Sequence, residues 1–207
     1  GLDVDLEFMR KQLNLRKPHG KISTQRIESD EPYIVSGVFE GKTTGTPICI
    51  LFENNNTKSK DYSKTKDLMR PGHADFTAIE KYHGFADYRG GGHFSGRLTA
   101  PLCIAGGICL QILEKKGIHI GAHLYSVGKE HDIPFDPINV SKDIINKLHS
   151  LSFPVLNTDS AEKMQHEILS AKQDGDSVGA IIECAAVGLP SGLGEHMFMG
   201  VENRIAS

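Results

Sequence analysis

The stretch FSGRLTAPLCIAGGICLQILEKKGIHIGAHLYSV, residues 94–127, decides the fold class. From Phe94 to Lys116 the apolar residues recur at helical spacing. Leu98, Leu102, Ala105, Cys109 and Ile112 keep to one stripe, and Ile104, Ile108 and Leu113 populate neighbouring faces. A helix apolar on most sides is predicted to be buried. Gly117 ends it, and Ile118–Val127 alternates like a strand. Working toward the N-terminus, residues 70–100 are rich in His, Gly, Asp and Arg and poor in aliphatics, the composition of functional loops. The polar segment 57–67 reads as a loop, closed off from the preceding strand by Asn54, Asn55 and Asn56. Before it lies a β-ladder, Tyr33–Glu40 and Pro47–Glu53 around a Gly-rich turn at 41–45. The opening is a helix with Leu6, Met9 and Leu13 on one face, Asp3 as its cap, and a break at Pro18 and Gly20. Toward the C-terminus come a loop at Pro134 and Pro137 and amphipathic helices near 141–151 and 160–172. A turn at 174–176, an apolar strand 178–187 interrupted by Glu183, and a Gly/Pro-rich tail complete the pattern. A buried helix with β-rich flanks predicts an α+β fold. No linker or repeat divides the chain, so a single domain over residues 1–207 is expected. The last residues, 201–207, read as a helix of about two turns, marginal in isolation, and both ends read as cut.

Composition narrows the function. A chain of 207 residues can bury roughly 70% of its unfolded surface, enough for a real core. Lys plus Arg number 23 against 26 Asp plus Glu, a net charge of −3, which argues against a generic nucleic-acid binder. No apolar run reaches the ~20 residues of a membrane span, and residues 1–10 do not resemble a signal peptide. Cys49, Cys103, Cys109 and Cys184 stand in apolar stretches without C-x-x-C spacing, so buried free thiols are expected.

The chemistry-bearing residues cluster in Arg70-Pro71-Gly72-His73-Ala74-Asp75 and in 87–97, DYRGGGHFSGR. Three consecutive glycines let the backbone turn sharply and present N–H groups. A helix beginning near Ser95 adds the positive end of its dipole. Arg70, Arg89 and Arg97 supply forked donors. Together they would bind a phosphate or carboxylate, while the plainer reading is a tight loop with solvated arginines. His73 can carry a proton at neutral pH, and Asp75 could orient it. A metal site drawn from His73, Asp75, His83 and His93 matches no compact ligand spacing, and none is expected. His119 and His123 share one face of a strand, which suggests a surface or interface role. Arg16 and Lys21 belong to a second basic run that could form another anion-binding lip or merely a solvated helix end.

Taken together, RPGHAD at 70–75, DYRGGG at 87–92 and Ser95-x-Arg97-x-Thr99-Ala100 resemble the central signature of the chorismate synthase family. Ser23–Arg26, Ser36–Gly41, Thr43–Thr46, Asp61–Ser63, Asp174–Gly179 and Gly188–Glu195 extend the resemblance along the chain. It implies a β-α-α-β sandwich, assembled as a cytoplasmic homotetramer. It also implies a lyase that eliminates phosphate from 5-enolpyruvylshikimate 3-phosphate to give chorismate, the last step of the shikimate pathway to aromatic amino acids. That reaction needs reduced FMN, with NADPH as a possible reductant. The resemblance makes His73 a general acid acting at the flavin ring and matches His93-Phe94-Ser95 to the flavin-contacting tripeptide. Arg16 and Lys21 match positions contacting the phosphorylated substrate or a pyridine nucleotide, and Arg70, Arg89 and Arg97 supply positive charge for the same anions. Two departures stand out. Many members carry Arg-Ser-Ser where this chain has His93-Phe94-Ser95, and Leu15 and His19 replace an Arg and a Gly beside a one-residue deletion before Lys21. Family chains are longer at both ends and bear a further catalytic histidine and aspartate there. The 207 residues alone are therefore expected to turn over feebly or not at all. The alternatives are an inactive piece that only binds flavin or a phosphorylated ligand, and a metal-dependent hydrolase using His73, Asp75 and His83.

Overall fold

The computed structural model describes residues 1–18, 20–23, 29–53 and 67–206. The expected loop at 57–67 lies almost wholly outside the described residues, as do His19 and Asn54–Asn56. The chain forms two compact units, one of Gly1–Pro18 with Gln25–Cys109 and one of His19–Thr24 with Leu110–Ser207.

In the first unit, helix α1 spans Leu6–Arg16. Its cap is Asp5, whose side chain accepts the N–H groups of Glu7 and Phe8 at 2.9 and 3.0 Å. Asp3 does not cap the helix. It bridges instead to Lys42, with an ion pair to the Lys42 ammonium. Strand β1, Pro32–Ser36, pairs antiparallel with β4, Cys49–Phe52, through a bulge between Ile34 and Ser36. Between them β2, Val38–Phe39, and β3, Lys42–Thr43, close a two-residue hairpin at Glu40 and Gly41, both with positive φ. The expected ladder is thus present, in two short pieces. Helix α2 spans Asp75–Tyr82. A 3₁₀ segment, Arg89–Phe94, and a 3₁₀ turn, Gly96–Leu98, lead into helix α3, Thr99–Glu114.

The core of this unit is Val4, Met9, Leu13, Ala100 and Ile104, with Val38, Ile50, Phe52, Cys103 and Ile108 packed against it. Two expectations for α3 are corrected here. Its α-helical part begins at Thr99, because the glycines before it take the tighter 3₁₀ winding. The expectation of a buried helix does not hold: only Ala100, Ile104 and Gly107 of α3 are buried, and Leu102 on the expected stripe is 71% exposed. A helix apolar all round carries no periodic signal for which side meets the core. Against the expectation that no apolar run reaches the length of a membrane span, the segment Gly96–Glu114, with a mean hydropathy of 1.4, is long and apolar enough to cross a membrane by length and composition alone.

The second unit is built on β5, His119–Val127. Along one edge β5 pairs antiparallel with β7, Ala180–Val187, and at its end with β6, Glu130–His131, giving the order β6-β5-β7. Helix α4, Lys142–His149, is capped by Ser141, and helix α5, Thr158–Gln173, by Asn157. α4 packs on β5 with Ile145 fully buried. A Cβ at Gly121 would come within 2.9 Å of Ile145 Cγ2, so this position must be glycine for α4 to lie so close. Val127, Val155 and Met164 form the second core. The chain ends its described part in a short helix, α6, Val201–Ala206, with no buried residue.

All four cysteines are free, but the expectation of burial does not hold: Cys49, Cys109 and Cys184 are exposed. Cys49 and Cys109 lie on a strand and a helix whose other residues pack on the core, a side that composition alone does not reveal.

Candidate functional site

The residues singled out in the sequence assemble mostly within the first unit, from Arg70 to Arg97. A turn carries the His73 N–H to the carbonyl of Arg70 at 3.3 Å and feeds α2. Asp75 is the first residue of that helix, yet its carboxylate reaches back along the turn. Its Oδ2 accepts the backbone N–H and the Nε–H of Arg70 at 3.0 and 2.8 Å, and its Oδ1 accepts Nη2–H at 2.9 Å. The same Oδ1 lies 2.7 Å from His73 Nδ1. The Arg70 hydrogen bonds hold the Asp75 carboxyl well below the usual carboxylate range, against a smaller upward push from burial.

The 3₁₀ segment repeats the device. Asp87 Oδ1 accepts the backbone N–H and Nε–H of Arg89, and Oδ2 accepts Nη2–H at 2.9 Å. The Asp87 carboxyl is pulled down to about 2, chiefly by the Arg89 side-chain hydrogen bonds. Gly92, at φ +51°, sits where a Cβ would lie 2.0 Å from the Asp87 carbonyl oxygen, so only glycine closes this turn. Gly91 lies over the dyad: a Cβ there would be 3.5 Å from Arg70 Nη2 and 3.7 Å from His73 Cε1. Arg97 donates to the carbonyl of Arg89 at 3.1 Å. Arg16, at the end of α1, donates to Thr99 Oγ1 at 3.0 Å and to the Asp30 carboxylate. Arg16, Arg70, Arg89 and Arg97 thus belong to one unit with His73, His93, Phe94 and Ser95, and three of the four arginines are already paired with an aspartate. Lys21 lies in the other unit, where its carbonyl accepts the ammonium of Lys172 at 2.8 Å.

A cavity of about 560 Å³ opens along this segment. Leu68, Met69, Ala78, Ile79, Tyr88 and Phe94 give it apolar walls, and Arg70, Asp75, Asp87 and His93 give it polar edges. His73 itself stands behind the lining, its Nδ1 3.1 Å from Arg70 Nη2 and 2.7 Å from Asp75 Oδ1. His83 ends α2 in a left-handed conformation at φ 51°, far along the helix from Asp75. Among the described residues no three His, Cys, Asp or Glu side chains come together as a metal-binding group.

A second histidine–carboxylate cluster, in the other unit, corrects the expectation of a surface or interface role for His123. This residue is 1% exposed. Its Nδ1 lies 3.1 Å from Asp132 Oδ2 and its Nε2 lies 2.9 Å from Glu183 Oε2. Burial pushes the Asp132 carboxyl up, but the N–H groups of Leu156, Asn157 and Ile133 with the Ser160 hydroxyl outweigh it and hold the carboxyl low. Burial likewise raises Glu183, and the Phe135 N–H and His123 outweigh it. With both carboxylates ionised, the ring satisfies both only by donating from both nitrogens. Glu183 stands out in the sequence as the one charge inside an apolar strand, but its pairing with His123 does not.

Comparisons with known proteins now bear on the whole chain. The family model described as chorismate synthase matches residues 1–207. A chorismate synthase of Pyrococcus abyssi is 44% identical over 208 residues, covering 100% of this chain and 56% of the relative. One of Chitinophaga pinensis is 45% identical over 206 residues, covering 100% of this chain and 52% of the relative. A solved crystal structure of chorismate synthase superposes with a TM-score of 0.72 at 23% identity, over 99% of this chain and 57% of the other, a likeness of fold. The chain thus spans a little over half the length of the relatives it matches. The α+β arrangement and the match along every residue leave one assignment: this chain belongs to the chorismate synthase family.

Proposed function

We propose that the chain works in a chorismate synthase that eliminates phosphate and a ring proton from 5-enolpyruvylshikimate 3-phosphate in the 1,4-anti sense, giving chorismate. The observation that carries this reading is the cavity of about 560 Å³ with Arg70, Asp75 and His93 at its polar edges and His73 against Arg70 and Asp75. Its mixed walls suit a flat ring system with a polar rim, so the residues fit a flavin. His93, Phe94 and Ser95 would hold that ring. Reduced FMN, when bound, supplies an electron-rich ring beside the substrate. His73 holds a proton at the edge of the cavity as general acid. Arg70, Arg89, Arg97 and Arg16 draw in the phosphate and carboxylates, and Lys21 is a further contact to substrate or NADP. NADPH as reductant, a homotetramer and a cytoplasmic place belong to the same proposal and rest on the family alone.

The relatives are nearly twice as long as this chain, so the 207 residues alone are expected to turn over feebly. The test is an anaerobic assay of the natural chain with reduced FMN and 5-enolpyruvylshikimate 3-phosphate, following chorismate. Turnover that disappears in His73→Ala supports the proposal. Flavin binding without turnover would reduce the protein to a binding module.

A further inference from the structure

We propose that His123, Asp132 and Glu183 form a latch shut by a doubly protonated ring, and that loss of one ring proton opens it at Glu183 and lets the segment around Phe135 part from β7. The proposal is independent of the activity proposed above.

Both ring nitrogens are hydrogen-bonded: Nδ1 to Asp132 Oδ2 at 3.1 Å and Nε2 to Glu183 Oε2 at 2.9 Å. A neutral ring has one N–H, so it would serve one carboxylate and turn a lone pair on the other. The ring and the Asp132 side chain are fully buried, where such a mismatch is costly. Two ring protons satisfy both contacts and set one positive charge between two negative ones.

The two carboxylates are not equal. Besides the ring, Asp132 accepts the N–H groups of Leu156, Asn157 and Ile133 and the Ser160 hydroxyl. Glu183 accepts the ring and the Phe135 N–H, the latter at 2.8 Å, and its side chain is 34% exposed. When one proton leaves, the remaining N–H stays with Asp132, which is walled in. Bare Nε2 then faces Glu183 Oε2, and that carboxylate has solvent to turn toward. Turning takes the acceptor away from the Phe135 N–H, a bond that joins residues 48 apart in sequence. Phe135 is itself buried, with its ring edge-on to His123 at a centroid distance of 4.6 Å. The segment therefore loses its tie to β7 while Asp132 still pins it to β5.

The surroundings leave the decision to these three side chains. No other charged side chain among the described residues bonds to the ring. Tyr125, on the same strand, meets the ring edge-on at 6.5 Å and carries His131 on its other contact. Helix α4 packs on β5 through Ile145 and Leu148 and turns Lys142, Asp143, Lys147 and His149 to solvent. Helix α5 brings the Ser160 hydroxyl to Asp132, while its Glu167 pairs with Lys129.

The experiment reads the ring and the latch together. Long-range proton–nitrogen correlation spectra of the nitrogen-15-labelled 207-residue chain, with His123 assigned through its bonds to the backbone, distinguish protonated from bare ring nitrogens. At neutral pH two protonated nitrogens are expected. As pH is raised, Nε2 is expected to become bare first, and the Phe135 amide signal to move with the same midpoint. A bare nitrogen on the native ring at neutral pH overturns the proposal. So does a ring that gives up its Nδ1 proton first, a Phe135 amide that ignores the ring, or a ring that keeps both protons until the chain unfolds. Glu183→Gln keeps an oxygen for the Phe135 N–H and removes the charge. It is expected to lose the Nε2 proton at a pH where the native ring keeps it, with no accompanying movement of the Phe135 amide. A variant ring that titrates together with the native one overturns the assignment of Glu183. Should the variant not fold, the native titration decides. The spectra need neither flavin nor substrate, so their outcome stands apart from that of the turnover assay.

Discussion

His73 and His123 each sit against carboxylates, and the difference lies in how many ring nitrogens are used. His73 has Arg70 and Asp75 at Nδ1 and nothing among the described residues on Nε2. His123 has Asp132 on one nitrogen and Glu183 on the other, with its side chain fully buried. The partners of His73 lie within five residues of one another in a turn, whereas those of His123 are 9 and 60 residues away in sequence. One arrangement leaves a ring nitrogen open beside two residues that line a cavity. The other draws β5, β7 and the chain after β6 into one knot, with Asp132 also holding the N–H groups of Leu156 and Asn157 at the start of α5. A histidine beside an acid is therefore no sign of chemistry until its second nitrogen is accounted for.

The comparison can be broken most severely at the two rings themselves. In the active protein, His73→Ala is expected to lower kcat by about 10²–10⁴-fold while flavin and substrate still bind. Steady-state kinetics within about threefold of the parent would remove His73 from the chemistry. His123→Ala should act on folding. It removes a partner of the buried Asp132 and of Glu183, whose side chain is 34% exposed, and losing one partner of a buried ionic pair costs about 3–5 kcal/mol. Urea denaturation reads this directly, and a stable variant with altered kcat would reverse the roles assigned to the two histidines.

Acid sharpens the contrast. Asp132 and Glu183 are held below their ordinary values in the folded state. The unfolded chain therefore binds more protons as pH falls below the usual carboxylate range, and stability declines toward the folded values. Above that range their contribution is complete. In Asp132→Asn the acid slope of the unfolding midpoint should flatten, at a lower overall stability. An unchanged slope would mean that the cluster is not what senses acid.

Smaller effects test the site's edges. His93→Ala is expected to weaken flavin binding by about tenfold, or ~1.4 kcal/mol, with kcat at saturating flavin little changed. Flavin titration by fluorescence measures this. His83→Asn, which keeps a residue tolerant of the left-handed conformation at the end of α2, should change stability by no more than about 0.5 kcal/mol and leave rate and binding alone. A large loss of rate in His83→Asn would reopen the metal reading.

The legible parts of the fold were those whose information is local. α1, α4, α5 and β5 followed from apolar periodicity and stop signals, and the cap of α1 was misplaced only by two residues, from Asp5 to Asp3. The buried side of α3 was not legible, because an apolar residue stands on every face of that helix. Phe94 and Leu98 have helical spacing and suggest the start of a helix, while Gly90–Gly92 and Gly96 go with the tighter 3₁₀ winding. Within the site, Asp75 could be named from sequence because it stands two residues from His73. Asp132 and Glu183 could not, since only the register of β5 on β7 sets Glu183 opposite His123.

The paired arginines set the terms on which any ligand enters. Arg70 and Arg89 each hold an aspartate through two or more hydrogen bonds before anything else arrives. An incoming oxyanion therefore meets something like a loaded ion exchanger, and must either displace a carboxylate or share its arginine. The free energy gained is a difference between two anions on one cation, far smaller than the energy of either pair alone. Such a surface discriminates by how well a guest mimics the fork geometry of a carboxylate and outbids its charge. Chloride does neither, and a phosphate dianion does both.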